Sequence, residues 1–335
     1  MKYEVALTIP VYKAVEYIGK TMESALNQSF DSIEYLVVDD CGNDGTIDVI
    51  ECFQKEHPRG KDIHILYNNS NLGVGMTRNR ILDEAQGQYL YFLDSDDIIE
   101  PDTINCLVES AIKNKADVVY GSLDRIDSIC PTQSYIMPDA CLLSDDEMTL
   151  YAFRNYNSFR ISICNCLMSL EFLHNSQLRF VDSVFWEDLV FTYEMVMKVR
   201  RAVLLSKITY HYLCRSDSLS HYQERGELNK SEILQNASML DYLKGKSKEL
   251  SDKSYFPYLY YNLEYTVCYV LKYNQRIVPT ITNSEMSNIL KYPINVWHIL
   301  RFRHRCFQNL CIWGLSLMPS CFSLLFVILL GKIKK

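Results

Sequence analysis

Asp94-Ser95-Asp96 sets two carboxylates on alternate residues of an extended segment, so that both point to the same side. Hard oxygen donors in that arrangement suit Mg²⁺ or Mn²⁺ and, through the ion, a diphosphate. Asp39-Asp40, followed by Cys41-Gly42-Asn43-Asp44-Gly45-Thr46, forms a second acidic cluster, and Glu187-Asp188 a third. Carboxylates this close repel one another unless a cation or a ligand with matching donors sits among them. Each cluster also has a plainer reading. Asp96 or Asp97 could cap the helix expected near Pro101 while Asp94 forms a turn, and Glu187-Asp188 could complement a helix dipole.

The elements that must carry these groups follow from hydrophobic periodicity. Over the first 120 residues, strands are expected at 3–9, 34–39, 62–67, 88–94 and 116–120, and helices at 15–28, 46–56, 74–86 and 102–114. Two of the acidic clusters therefore close apolar strands, Tyr35–Asp40 and Tyr89–Asp97. The β-α-β-α order implies an α/β fold with a mostly parallel sheet and helices on both faces, and such sheets bind ligands at the strand ends. Residues 121–180 are less regular; a helix is expected from about Glu187, a strand over 203–214, and Tyr-rich helix from 228 to 273. The expected division is an α/β domain over 1–225 (halves 1–120 and 121–225), a helical appendage over 226–305, and a basic, apolar membrane-associating segment over 306–335.

The 335 residues carry a net charge of −7, unevenly spread. Residues 291–335 hold seven Lys or Arg and no acid, leaving the rest at −14. An acidic body argues against a general nucleic-acid binder, and a basic, apolar tail points to an anionic membrane surface. Leu310 to Gly331 is a run of 22 residues without formal charge. As one helix it would reach about 33 Å, against a hydrocarbon core of about 30 Å. Gly314, Pro319 and three serines weaken a spanning helix, and a helix pair in one leaflet, a buried core helix or an oligomer contact fit as well. The 12 cysteines form no CxxC pair, and no signal peptide opens the chain, which together suggest reduced thiols in the cytoplasm. Gly73-Val74-Gly75 lacks the third glycine of a dinucleotide loop, Arg78 standing there, and neither a P-loop nor a GxSxG elbow occurs.

The clusters stand in an ordered series. It runs Thr8-Ile9-Pro10-Val11-Tyr12, Ser24-Ala25-Leu26-Asn27-Gln28-Ser29-Phe30, Val37-Val38-Asp39-Asp40 with Asp44-Gly45-Thr46, and Asn71-Leu72-Gly73 with Thr77-Arg78-Asn79. Phe92-Leu93-Asp94-Ser95-Asp96-Asp97 and Trp186-Glu187-Asp188-Leu189-Val190-Phe191 complete it. This series resembles the family-two glycosyltransferases of GT-A fold, closely over about 3–125 and more loosely over 155–222. The resemblance implies a metal-dependent, inverting transfer of a hexosyl or N-acetylhexosaminyl group. The donor would be a nucleotide-diphosphate sugar, a UDP-sugar by the lean of Asp40, and the acceptor a hydroxyl of a glycan or polyprenyl-linked glycan.

By the same resemblance, Pro10, Val11, Tyr12 and Asp40 line the nucleotide base, with Asp40 accepting from its ring N–H and Asp39 supporting the turn. Arg78 reaches the diphosphate, Asp94 lies near ribose and metal, and Asp96 is the main ligand for Mn²⁺ or Mg²⁺. Asp188 is the general base. In the stretch Tyr212 to Ser218, Arg215 touches phosphate, and His221 is a third metal ligand; a surface arginine and a solvated histidine are the plainer readings. Lys13 and Cys41 depart from the family, which often has Asn and Gly or Asn at these places. The implied location is the cytoplasmic face of a bacterial inner membrane. A catalytically inactive scaffold at the membrane and a nucleotidyltransferase are the alternatives, the second lacking its Gly-rich loop near 8–14.

Overall fold

The computed structural model describes residues 2–127, 131–155, 163–183, 187–214, 227–271, 276–292, 294–319, 321–322 and 325–326. Two compact units form: Met1–Thr149 with Asn157–Arg215, and Leu150–Tyr156 with Ser216–Lys335.

The first unit is built on strands β1 (Val5–Val11), β2 (Ile33–Asp39), β3 (Ile63–Tyr67), β4 (Tyr89–Phe92), β5 (Ile98–Ile99), β6 (Val118–Ile126), β7 (Gln133–Tyr135), β8 (Ala140–Leu142), β9 (Cys166–Ser169) and β10 (Ala202–Leu213). Its helices are α1 (Ile18–Leu26), α2 (Thr46–Glu56), α3 (Val74–Glu84), α4 (Thr103–Asn114), α5 (Glu147–Arg154, which runs on into the second unit), α6 (Leu170–Asn175) and α7 (Glu187–Lys198). The strand order is β3-β2-β1-β4-β9-β6-β10-β5, with β7 on β6 and β8 on β10. Every residue of β1 and β2 is buried, as near-continuous apolar runs at the centre of a parallel sheet should be. Val5, Leu7, Ile9 and Val11 share one core with Ile18 and Met22 of α1 and Leu107 of α4. Residues of opposite parity face the other side, where Phe92 meets Phe180 edge-on and Phe180 stacks on Phe191 of α7 at 4.1 Å.

The expected parallel order holds through β3-β2-β1-β4. Beyond β4 the sheet is mixed, because β9 inserts antiparallel to both β4 and β6. Strands of two to four residues such as β5 and β9 are too short to show a period of two, so the sequence gives no sign of them. Pro101 lies two residues ahead of α4, which starts at Thr103.

Register fixes the site. Val11 pairs with Asp39, so β1 and β2 end level, while β4 ends at Phe92 opposite Thr8 and the chain from Leu93 covers the remaining three residues of β1 as loop. The Asp40 amide donates to the Val11 carbonyl and the Leu93 amide to that of Thr8, both at 2.9 Å. Pro10–Tyr12, Asp39–Asp40 and Asp94–Asp97 therefore reach one edge of the sheet together.

The second unit is helical, with α8 (Lys230–Ser247), α9 (Phe256–Leu271), α10 (Asn283–Leu290), α11 (Val296–Leu300), α12 (Cys306–Ser316) and a short parallel pair, β11 (Leu228–Asn229) and β12 (Ile277–Val278). Inside it Lys244 pairs with Glu264 at 2.8 Å and donates to the carbonyls of Ile289 and Lys291. Those three partners match the three N–H donors of a buried ammonium. α12 stops at Ser316, ahead of Pro319, so the uncharged stretch from Leu310 does not continue as a single helix. Among the described residues no helix is long and apolar enough to cross a membrane.

Candidate active site

The site assembles around α3, where four consecutive side chains bind other parts of the chain. Thr77 accepts from Asn68 Nδ2 at 3.0 Å, and Arg80 donates to Asn68 Oδ1 at 2.8 Å and to the Tyr67 carbonyl. Asn79 exchanges two hydrogen bonds with the backbone of Phe180, at 2.8 and 2.9 Å. Arg78 donates from Nη2 to Asp94 Oδ1 at 3.0 Å and from Nη1 to Glu187 Oε1 at 2.8 Å. One guanidinium thus holds the end of β4 against the start of α7, and so sets Asp188, next in the chain, beside the strand-end carboxylates.

Arg78, expected from sequence to reach a diphosphate, has a side chain 7% exposed and engaged by two carboxylates. Burial works against its charge, and Asp94 and Glu187 together outweigh that. The approach is close enough to demand a glycine. A Cβ on Gly75 would stand 3.0 Å from the Val181 carbonyl oxygen and 3.1 Å from Cγ of Glu187.

Burial, and then the neighbouring Asp188, push Glu187 up to about 7 against the pull of Arg78. Asp188 is raised by burial, with Arg78 and the Leu189 amide opposing. A carboxylate so raised binds a proton more readily than one in water, which is the property a general base needs.

Asp94 is held from both sides, because Cys164 Sγ donates to its second oxygen at 3.1 Å. Burial, then the charge of Asp94, raise the Cys164 thiol, which keeps its proton for that bond. Asp96 is half-buried beside it. Asp97 caps no helix; it accepts from Tyr210 Oη at 2.6 Å and from the Leu213 amide at 2.8 Å, tying the loop to the end of β10. Burial, then Asp94 and Asp96, push Asp97 up to about 8. Among the described residues no group of three His, Cys, Asp or Glu side chains is arranged to hold a metal. Arg215 and His221 lie outside the described residues.

At the end of β2 the two aspartates do different work. Asp40, expected to accept from a base N–H, is buried and already accepts three donors: Asn68 Nδ2 and the Leu72 amide at 2.8 Å, and the Gly73 amide at 2.9 Å. It anchors the loop that leads into α3. Asp39 uses Oδ1 for the Gly42 amide at 3.2 Å, supporting the turn. Tyr12 is 45% exposed at the end of β1, with Lys13 Nζ 5.3 Å from its ring centre. Both family departures, Lys13 and Cys41, have left-handed backbone, φ 50° and 60°, where Gly and Asn fit with least strain.

Sequence reasoning missed Asn68, Cys164 and Tyr210 as parts of this site. Asn68 opens the polar run Asn68-Asn69-Ser70-Asn71 after β3, which signals a loop but not its partners.

Residues 7–174 match the family described as Glycosyl transferase family 2. The cholesterol galactosyltransferase of Borreliella burgdorferi is 24% identical over 286 residues, 82% of this chain and 78% of that protein. TuaG of Bacillus subtilis, named for teichuronic acid biosynthesis, is 40% identical over 105 residues, which span 31% of this chain and only 40% of TuaG. Among solved structures, residues 1–349 of S. aureus TarS superpose with a TM-score of 0.68 at 16% identity, covering 93% of this chain and 90% of that one. The same TarS fragment in complex with UDP-GlcNAc gives 0.67. The sheet with its flanking helices is thus the GT-A fold, and with half of its length matched the chain belongs to glycosyl transferase family 2.

Proposed function

We propose that this protein transfers a sugar from a UDP-sugar to a hydroxyl of a glycan or lipid-linked glycan, with inversion at the anomeric carbon and Asp188 as the base. The observation that carries this reading is the Arg78 clamp, which joins the Asp94 strand end to Glu187 and thereby keeps Asp188 at the same edge of the sheet. Asp188 takes the proton of the acceptor hydroxyl as its oxygen attacks the anomeric carbon. The bond from that carbon to the diphosphate breaks, and the diphosphate leaves with the electron pair. With a single base and no protein nucleophile, one displacement inverts the centre.

A UDP donor is supported by the TarS neighbour that holds UDP-GlcNAc. Asp94 and Asp96, two hard carboxylates on one loop, would form the protein's part of the ligand set for Mg²⁺ or Mn²⁺, with phosphate oxygens and water completing the shell. Such an ion would stabilise charge on the departing diphosphate. Asp97 is turned toward Tyr210 and Leu213 and takes no part in that set.

The test is UDP release from a panel of UDP-sugars with Mn²⁺ and lipid-linked glycan acceptors. Asp188→Asn should lower turnover by about 100-fold or more while UDP binding stays within twofold. Normal turnover by that variant would remove Asp188 from the mechanism.

A further inference from the structure

Helix α12 buries two polar side chains while leaving a large apolar one exposed. Asn309 and Ser316, two turns apart on one side, are buried; Asn309 donates to the Pro257 carbonyl at 3.0 Å and Ser316 to that of Trp313 at 2.7 Å. On the opposite side, at helical spacing, Phe307 is 80% exposed and Cys311 and Gly314 are exposed too. Leu317, Phe322 and Leu325 beyond the helix are each more than half exposed, and Trp297 of α11 is 71% exposed. Single exposed apolar residues are ordinary, but a run of this kind marks an interaction surface.

The charge of the surrounding chain selects the partner. Residues 291–335 contain seven Lys or Arg and no Asp or Glu. Arg303 is exposed, Arg301 pairs with Asp252, and Arg305 lies over the Tyr261 ring at 4.2 Å. An apolar face bordered by cations, with a tryptophan among its side chains, fits the headgroup region of an anionic lipid leaflet. The 11 residues of α12 are about 16 Å long, half the hydrocarbon thickness, so the helix can lie in a leaflet but cannot cross the bilayer.

We infer that α11 and α12 form an in-plane binding surface for an anionic membrane, with Trp297 and Phe307 as the inserted side chains. None of these residues belongs to the strand-end site, so the inference stands apart from the transfer reading.

The experiment is flotation of the full chain with vesicles of mixed phosphatidylglycerol and phosphatidylcholine, against phosphatidylcholine alone. The chain should float with the anionic vesicles and be released by salt, since raising it from about 0.1 to 1 M shortens screening from roughly 10 to 3 Å. Trp297→Ser with Phe307→Ser should cut the bound fraction by about tenfold or more without moving the melting temperature, both side chains being exposed. Arg303→Glu should weaken binding through charge alone. Failure of the wild-type chain to float, or unchanged flotation of the double variant and of Arg303→Glu, would overturn the proposal. A dimer in light scattering that the double variant dissociates, with no vesicle binding, would assign the face to a second copy of the chain.

Discussion

Arg78 and Glu187 stand 109 residues apart in the chain and 2.8 Å apart in space, through a buried ion pair whose guanidinium also holds Asp94. The pair converts a distant helix start into part of the strand-end site. Its energetics are asymmetric: a buried pair adds little over an apolar substitute, but removing one partner strands the other.

Arg78→Ala should therefore cost about 3 kcal/mol or more of stability, because Glu187 is left buried without its cation. Arg78→Lys keeps the charge but cannot reach two carboxylates with a planar fork, so turnover should fall while much of the stability remains. Urea unfolding and UDP release, measured together, separate the two effects.

Protonation of Glu187 follows from its burial, which outweighs the pull of Arg78. Glu187 sits near 7 in the folded chain, above the ordinary carboxylate value near 4.5. Between those values the folded state binds more protons than the unfolded one, so this group's contribution to stability falls as pH rises from about 4.5 to 7. Glu187→Gln should flatten that part of the stability profile. As the proposed base, Asp188, also raised, would have to be unprotonated, so turnover should rise with pH through an apparent value above the ordinary carboxylate range.

Gly75→Ala places a methyl 3.0 Å from the Val181 carbonyl oxygen and 3.1 Å from the Glu187 side chain. It should destabilise the chain by about 1–3 kcal/mol and lower turnover by displacing the start of α7. Equal stability in thermal melts would show that α3 and α7 pack less closely than described.

At the sheet edge, Asp40→Asn should act mainly on folding, since three N–H donors lose their carboxylate, at about 1–3 kcal/mol. Lys13→Asn should act in the opposite direction, stabilising by up to about 1 kcal/mol through relief of the left-handed strain at φ 50°. Both effects are readable in urea titrations.

Much of the strand-end edge is legible in the chain, because Val37-Val38-Asp39-Asp40 and Phe92-Leu93-Asp94 join long apolar runs to charge without any intervening turn. The partition of labour among those carboxylates is not legible. Asp40 is consumed by amides of Leu72 and Gly73, some 30 positions away, and a backbone N–H has no sequence signature. The same holds for Arg78: its type announces affinity for oxyanions, and only the approach of α7 decides that these are Asp94 and Glu187. Short strands such as β9 leave no mark, and the left-handed backbone at Lys13 and Cys41 leaves one only as a departure from pattern, without a direction.

The most direct test of the central claim is calorimetric titration of UDP into the wild-type chain, Asp96→Ala and Asp188→Asn, each with and without Mn²⁺. The account predicts metal-dependent binding to the wild type and to Asp188→Asn, and loss of it in Asp96→Ala. UDP binding that ignores the metal, or that fails in every case, would contradict a donor site built on the Asp94–Asp96 strand end.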